Sequence, residues 1–495
     1  MPRRTHLALF LLIVGCASAR APASSSRAPS AAVRSEAALA ARVAAEGLSF
    51  DETERLAVAW GLVPRSSAGR HLDRAAPGAL RFDDDWTREI AASVYSLPSS
   101  FFSAAQAKAF LAGVHALAPK REILVLADPT MRQDLGGLPG VRTLRILPTF
   151  GRDYSPWPRD PLSLTRRADG GLAVLIRPNL QRGREEDATL GRALIQTLPT
   201  DLDRRFKQPV WTVAGGPFHN GQALIAPKAV WISIHTLEPR ILEILGVSRI
   251  PVETFGTAAG IDRYLAAAHR AADELGVLYG RPMRFVHPLP DRGELAARVD
   301  LLRALGGGAG TDLDSIVTLI PRRAGAAGAP PVAFVADIAA GTALLGRLSP
   351  TDLAAAKAAY GFSPSVDLAT VFKSGLETPT ARGLAAFLDA IALHLAAEKM
   401  EVRRLPLLFA PFAALARADE LPEGGNFLIG WNNAVLETRG GTLRAEAFAS
   451  GLPMADREAI AAYSAAGARL TLLPTLPMSV IRGGGYRCAS NHVRR

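Results

Sequence analysis

From about residue 90 onward, short apolar runs alternate with longer stretches whose apolar positions recur at helical spacing. The short runs predict strands: EILVLAD (122–128), TLRILPTF (143–150), LAVLIRP (172–178), PVWTVAG (209–215), AVWISIH (229–235), SIVTLIP (315–321), PVAFVAD (331–337), RRLPLLF (403–409), NFLIGWNNAVLET (426–438) and ARLTLLPT (468–475). The longer stretches predict helices over 102–117, 188–198, 238–246, 258–275, 292–305, 351–360, 380–399 and 455–466. Strands and helices interleaved in this way belong to a mixed α/β class. The strand–helix rhythm returns about every 50 to 80 residues without a fixed-period repeat.

The segment before residue 90 breaks this pattern. MPRRTHLALFLLIVGC opens with two arginines, continues as an apolar run from Leu7 to Val14, and reaches Gly15 and Cys16. A charged start, a short apolar centre and a small residue before the cut make a secretory signal. The run falls short of the roughly 20 apolar residues a spanning helix needs, and no other stretch reads as long and apolar enough. IVGC also resembles a bacterial lipobox, in which Cys16 becomes the lipidated first residue. Residues 17–35 are rich in Pro, Ser and Ala and predict a flexible tether; residues 36–62 are Ala-rich and predict helix. The expected organisation is a lipoprotein signal peptide over 1–15, a disordered tether over 16–35, a helical N-terminal extension over 36–89 and one α/β domain over 90–495. Such a chain is expected in the bacterial cell envelope, lipid-anchored, on the periplasmic face of the outer membrane.

Charge and cysteine usage narrow the picture. The 57 basic and 46 acidic residues leave a formal charge of +11. The arginines are scattered, with no basic block and no aromatic-interleaved stripe, so no nucleic-acid partner is expected. A positive surface suits anionic lipid instead. The two cysteines are Cys16 and Cys488. With Cys16 acylated, Cys488 has no second cysteine for an internal disulfide, and such a thiol is a liability in an oxidising compartment unless it is buried or used. Its glycine-rich, basic setting, RGGGYRCASNHVRR, favours use. No His/Cys cluster has metal-ligand spacing, and no metal or cofactor is expected.

Four stretches place polar, glycine-rich or aromatic residues beside predicted strands. TFGRDYSPWPRDPLSL (149–164) sets Trp157, Arg159 and Asp160 among prolines. VAGGPFHNGQALIAP (213–227) ends a strand on Gly215 and Gly216, which permit a tight backbone path. GTDLDSIVTLIP (310–321) leads Asp312 and Asp314 into a strand, where alternation puts both on one face. SVIRGGGYRCASNHV (479–493) has three glycines that let the backbone pass close to something before presenting Cys488.

In this order, with NFLIGWNNAV between the last two, the stretches resemble the pentein, or guanidino-group-modifying, superfamily of agmatine deiminases, arginine deiminases and bacterial peptidylarginine deiminases. Agmatine deiminases run Trp-x-Arg-Asp, Glu-Gly-Gly-Asn, His-x-Asp and finally Gly-Gly-Gly-x-His-Cys; GGGYRC, with Arg before Cys, is similar to the arginine deiminase version. The resemblance covers residues 120 to 495 or so. It implies a pentein-type pseudo-fivefold α/β propeller of ββαβ units with its site in the central channel. It further implies Cys488 as nucleophile, Asp160 and Asp314 as the substrate-gripping carboxylates, and Trp157, Arg159, Gly216 and Arg487 at the substrate site. The implied substrate is arginine in a peptide or a small arginine-like amine such as agmatine, with no metal or cofactor.

The residue types suit that chemistry. A guanidinium is a planar cation with five N–H donors, which carboxylates bind through charge-assisted, often bidentate hydrogen bonds. A thiolate can attack its carbon and pass through a covalent thiouronium that water hydrolyses. Arg487 and a bound cation both favour that thiolate. Two positions depart from the family's pattern. The His of His-x-Asp is Asp312 here, and the Glu of Glu-Gly-Gly is Ala214; PEGGN (422–426) carries that motif but falls out of order. Asp312 can take the proton role only if burial beside Asp314 raises its pKa. Losing a positioned acid/base typically costs ~10²–10⁴ in rate. The sequence therefore leaves open a slow deiminase, a pseudoenzyme that binds guanidino compounds, and an unrelated Cys/His hydrolase using Cys488 with His219 or His492.

Overall fold

A computed structural model describes residues 31–62, 80–81, 87–136, 138, 141, 143–149, 151–167, 172–176, 184–197, 210–212, 223–226, 229–248, 257–287, 313–321, 330–411, 426–481 and 485–494. Within them one connectivity recurs five times: an antiparallel strand pair, then a third strand running parallel to the second. It joins Leu162–Arg167, Leu172–Ile176 and Val210–Thr212, then Ala223–Ile225, Val230–Ile232 and Met283–Phe285. Val317–Ile320, Val332–Asp337 and Glu401–Pro406 follow, and then Val435–Arg439, Thr442–Phe448 and Arg469–Leu473. The fifth instance draws on both ends of the domain. Asn491–Arg494 lies antiparallel to Ile90–Ser96, with Glu122–Ala127 parallel on the other side and Leu144–Pro148 beyond it. A parallel pair needs a crossover, and helices such as Ala104–Leu117, Ala258–Tyr279 and Pro453–Ala465 supply it. The fold is mixed α/β, as the interleaved pattern predicts.

Local chemistry accounts for the units. Val332–Asp337 and Glu122–Ala127 are buried along nearly their whole length, which is why they read as continuous apolar runs. Gly440 and Gly441 close a hairpin with φ of 57° and 72°, the left-handed pair that matches the twist of flanking strands. Asp337 ends its strand by capping the next helix, its carboxylate accepting from the Ala340 N–H.

Several elements differ from the sequence expectation. NFLIGWNNAVLET splits into Asn426–Ile429 and Val435–Arg439, because Gly430 and the polar pair Asn432 and Asn433 interrupt pairing. Asp314 lies in a helical turn, Leu313–Ile316, rather than on a strand, so strand alternation does not govern its direction. The strands Ile90–Ser96, Thr442–Phe448 and Asn491–Arg494 are additional. The helix expected over 292–305 falls outside the described residues. Pro379–Ala397 is long and apolar enough to cross a membrane by composition, with a mean hydropathy of 1.3. Here its stripe of Leu384, Leu388, Ile391 and Leu395 is buried in the protein core.

Ahead of the domain, helices α1 (Ala31–Glu46) and α2 (Phe50–Ala59) form a hairpin. Leu39, Val43, Phe50 and Ala57 share an apolar cluster with Ala92, Val94 and Leu124 of the sheet that holds Ile90–Ser96. Ser49 and Glu52 make a capping box that starts α2.

Candidate functional site

Cys488 sits in a single turn between Gly485 and the final strand. The Ala489 N–H donates to the Gly485 carbonyl at 3.0 Å, and the Asn491–Arg494 strand ties down the far end. Tyr486 fixes the near end. Its hydroxyl donates to Glu446 Oε2 at 3.0 Å and meets the Tyr95 hydroxyl at 2.9 Å. Glu446 is in turn held by Arg121 at 2.6 and 2.7 Å, both side chains fully buried. Burial alone would raise the Glu446 carboxyl, but Arg121 and the Tyr486 hydroxyl overcome it and hold it below its ordinary 4.5. Burial and the Glu446 charge push the Tyr486 phenol well above 10, which keeps it a donor.

A polar group closes around the sulfur on this turn. Asp314, fully buried, places its two carboxylate oxygens 3.7 and 3.9 Å from Cys488 Sγ. Asn433 turns Nδ2 toward the sulfur at 3.4 Å and toward Asp314 Oδ1 at 3.1 Å and Ser315 Oγ at 3.0 Å. Its Oδ1 accepts the Arg487 N–H at 2.5 Å, which fixes which end of the carboxamide faces the thiol. The Arg487 guanidinium approaches Asp314 Oδ2 at 3.6 Å and donates to the Ala223 carbonyl at 3.1 Å. A cavity of about 50 Å³, lined in part by Ser315, Asn433, Gly485 and Tyr486, adjoins this group. Gly485 makes room for the carboxamide: a Cβ there would lie 2.3–2.5 Å from atoms of Asn433. The last of the three glycines thus passes close to a side chain of the protein itself.

The loop carrying Trp157, Arg159 and Asp160 abuts the same turn. The Arg159 N–H donates to the Cys488 carbonyl at 3.5 Å, and Asn491 Nδ2 donates to the Leu162 carbonyl at 2.9 Å. The Trp157 indole N–H donates to Ser479 Oγ at 3.2 Å. Asp160, 5% exposed, accepts from Arg184 Nη1 at 2.7 Å. The Arg184 guanidinium also lies over the Trp157 ring, 4.9 Å from its centroid, and pairs with Asp187 at 2.8 Å. The chain's own guanidinium groups therefore already meet both carboxylates expected to grip a substrate, Arg184 on Asp160 and Arg487 on Asp314.

The structure brings Cys488, Asp314 and Arg487 into contact and sets the backbone of the Trp157–Asp160 loop against them. Asp312, Gly216, Cys16 and His219 lie outside the described residues. His492 serves the final strand instead of the thiol. Its Nδ1 meets Ser93 Oγ at 3.1 Å and its Nε2 meets Ser490 Oγ at 2.9 Å. Burial, reinforced by Arg494 and Arg121, holds it neutral, well below its ordinary 6.5. Sequence reasoning missed Asn433, Ser315, Arg184 and Asp187. Asn433 stands inside the quoted NFLIGWNNAV, where a polar pair ending an apolar run was the available signal; Arg184 is one of many scattered arginines.

No protein-family model matches the chain, and no curated protein matches it. Among solved structures, the chain is similar to agmatine deiminases. A structural-genomics target, provisionally assigned as an agmatine deiminase, superposes with a TM-score of 0.47 and 11% identity over 85% of this chain and 98% of its own. The agmatine deiminase of Enterococcus faecalis superposes with a TM-score of 0.44 and 10% identity over the same shares.

Proposed function

We propose that this protein is a guanidino-modifying hydrolase of the deiminase type, acting on arginine in peptides or on small arginine-like amines. The observation that carries the reading is the thiol of Cys488 set 3.7–3.9 Å from both oxygens of the buried Asp314. A carboxylate there can hold a planar cation by two N–H bonds with its carbon against the sulfur. The Cys488 thiolate would attack that carbon to form an S–C bond. A proton delivered to one nitrogen lets ammonia leave, giving a thiouronium. Water then adds and gives up both its protons, one of them replacing the proton that left with ammonia, and the S–C bond breaks to release a ureido product and the thiolate. Asn433 and Arg487 favour the thiolate over the thiol, while Asp314 opposes it until a cation is bound beside both. Asp312 stands where the family's pattern has its histidine, and the proton transfers are assigned to it. The five units arranged about one axis, and a lipid anchor at Cys16 holding the body to an envelope membrane, belong to the same reading.

A second reading, a guanidino-binding protein without turnover, is favoured by Arg184 already lying on Asp160. The deciding experiment measures ureido product from agmatine, arginine and an arginine peptide, with the wild-type chain and Cys488→Ala. Cysteine-dependent product supports the hydrolase. A guanidine-dependent rise in melting temperature without product supports the binder.

A further inference from the structure

The segment that carries Trp157, Arg159 and Asp160 is fastened from outside the domain. Glu36 of α1, fully buried, pairs with Arg132 and accepts the Thr149 N–H at 3.2 Å. Gly151, at φ 76°, lies so close to α1 that a Cβ there would be 2.5 Å from Ala40 Cα. Arg152 reaches back into the hairpin, donating to the Leu48 carbonyl at 2.6 Å and to Thr53 Oγ1 at 3.2 Å. Its other nitrogen pairs with Glu186 at 3.3 Å, and Glu186 also accepts the Asp153 N–H at 2.8 Å.

From there the contacts run inward without a break. Next to Glu186, Asp187 accepts the Ser155 N–H at 2.8 Å and its hydroxyl at 2.6 Å. Asp187 also holds Arg184, and Arg184 holds Asp160. Tyr154 buries in the same apolar cluster as Leu39, Val43 and Phe50 of the hairpin. The hairpin is also fastened by Arg192, which pairs with Asp51 at 2.6 Å and Glu54 at 3.2 Å and covers the Phe50 ring at 4.5 Å.

We infer that the α1–α2 hairpin is a clamp that sets the conformation of the 151–160 loop, with Arg152 as the positioning residue that links it to Asp160. The hairpin is thereby part of the site rather than a spacer before the domain. Asp160 belongs to the function only on the reading above; the clamp itself is a statement about the loop. A hairpin drawn away by whatever the preceding chain is attached to would loosen the loop and leave the Asp314–Asn433–Cys488 group in place.

The test is amide hydrogen exchange on the full chain, resolved by peptide, for wild type, Arg152→Ala and Arg192→Ala. Among the described residues, the hydrogen bonds and ion pairs of Arg192 go to the hairpin and not to the loop, so it separates the clamp from a direct effect. The expected result is exchange over 151–160 faster by about tenfold in Arg152→Ala and about threefold in Arg192→Ala, with 122–127 and 491–494 within about twofold of wild type. Unchanged exchange over 151–160, or an equal rise in all three segments, overturns the proposal. Should Arg152→Ala not fold, Arg192→Ala decides alone by the same comparison. If the wild-type chain turns over guanidino substrates, Arg152→Ala raises KM and leaves kcat within a few-fold. If it neither turns over nor binds them, the functional reading fails while the exchange comparison still decides the clamp.

Discussion

The Asn433 carboxamide binds the two halves of the candidate site to each other: its Nδ2 lies 3.1 Å from Asp314 Oδ1 and 3.4 Å from Cys488 Sγ, while its Oδ1 takes the N–H of Arg487 at 2.5 Å. Replacing it with alanine removes the bonds it makes to the buried Arg487 N–H and to Asp314 Oδ1. Such losses cost about 1–3 kcal/mol. Denaturant unfolding of Asn433→Ala reads this directly. On the deiminase reading, ureido product falls by up to about 100-fold, because the carboxylate and the thiol are no longer held in register. Wild-type stability in that variant removes Asn433 from the account.

Gly485 makes a sharper case, because it has no side chain of its own to lose. A Cβ at 485 must displace the Asn433 side chain, whose nearest atom would be 2.3 Å away. Gly485→Ala is expected to destabilise by about 1–3 kcal/mol, the range for overpacking a closed interior. The double variant with Asn433→Gly should then be less destabilised than the sum of the two single changes, since the clash has gone. Strict additivity in that cycle would show that Gly485 answers to some other constraint.

How much of this could be read from the chain depends on the range of the interaction. Cys488 could be singled out because a thiol behind three glycines stands out in a sulfur-poor sequence, whereas its burial could not be read there. Asp314 was legible from its place ahead of an apolar strand, yet its direction was not, because one helical turn replaces strand alternation there. The middle strands showed themselves as continuous apolar runs. Asn491–Arg494 did not, since NHVR has one apolar residue and becomes a strand only by pairing with Ile90–Ser96 about 400 positions earlier. Arg184 was invisible for a related reason: nothing local marks one arginine among many as the partner of Asp160 and Trp157. What the sequence carried was residue type and order; what it withheld was which polar groups satisfy one another across the fold.

His492 predicts a pH dependence of stability. The ring is held neutral in the folded state, well below the 6.5 it takes when unfolded. Above 6.5 neither state binds the proton, so the contribution is fully present. As pH falls below 6.5 the unfolded chain takes up a proton that the folded chain refuses, and stability declines by up to about 1.4 kcal/mol per pH unit until the folded value is reached. His492→Gln cannot titrate. The gap in unfolding free energy between wild type and His492→Gln should therefore narrow between pH 7.5 and pH 5. A gap that stays constant across that range would mean the folded imidazole titrates as the unfolded one does, and a gap that widens toward pH 5 would mean it is already protonated in the folded protein.

Arg184 sets the last prediction, because it decides what a ligand must compete with. Its guanidinium lies on Asp160 at 2.7 Å and over Trp157 at 4.9 Å, the contacts an external guanidinium would need. Arg184→Gln keeps a neutral donor near Ser155 but removes the cation from between Asp160 and Asp187, two buried carboxylates. Without ligand the variant should be less stable by about 1–3 kcal/mol, since charge-paired hydrogen bonds are lost and like charges now face each other. With agmatine or guanidinium at millimolar concentration it should regain stability more steeply than wild type, because the added cation now enters an empty cradle. Melting temperature measured against ligand concentration for both proteins reads this as a difference in slope. Equal slopes would place guanidino binding away from Asp160 and make the Arg184–Asp160 pair a permanent strut of the fold.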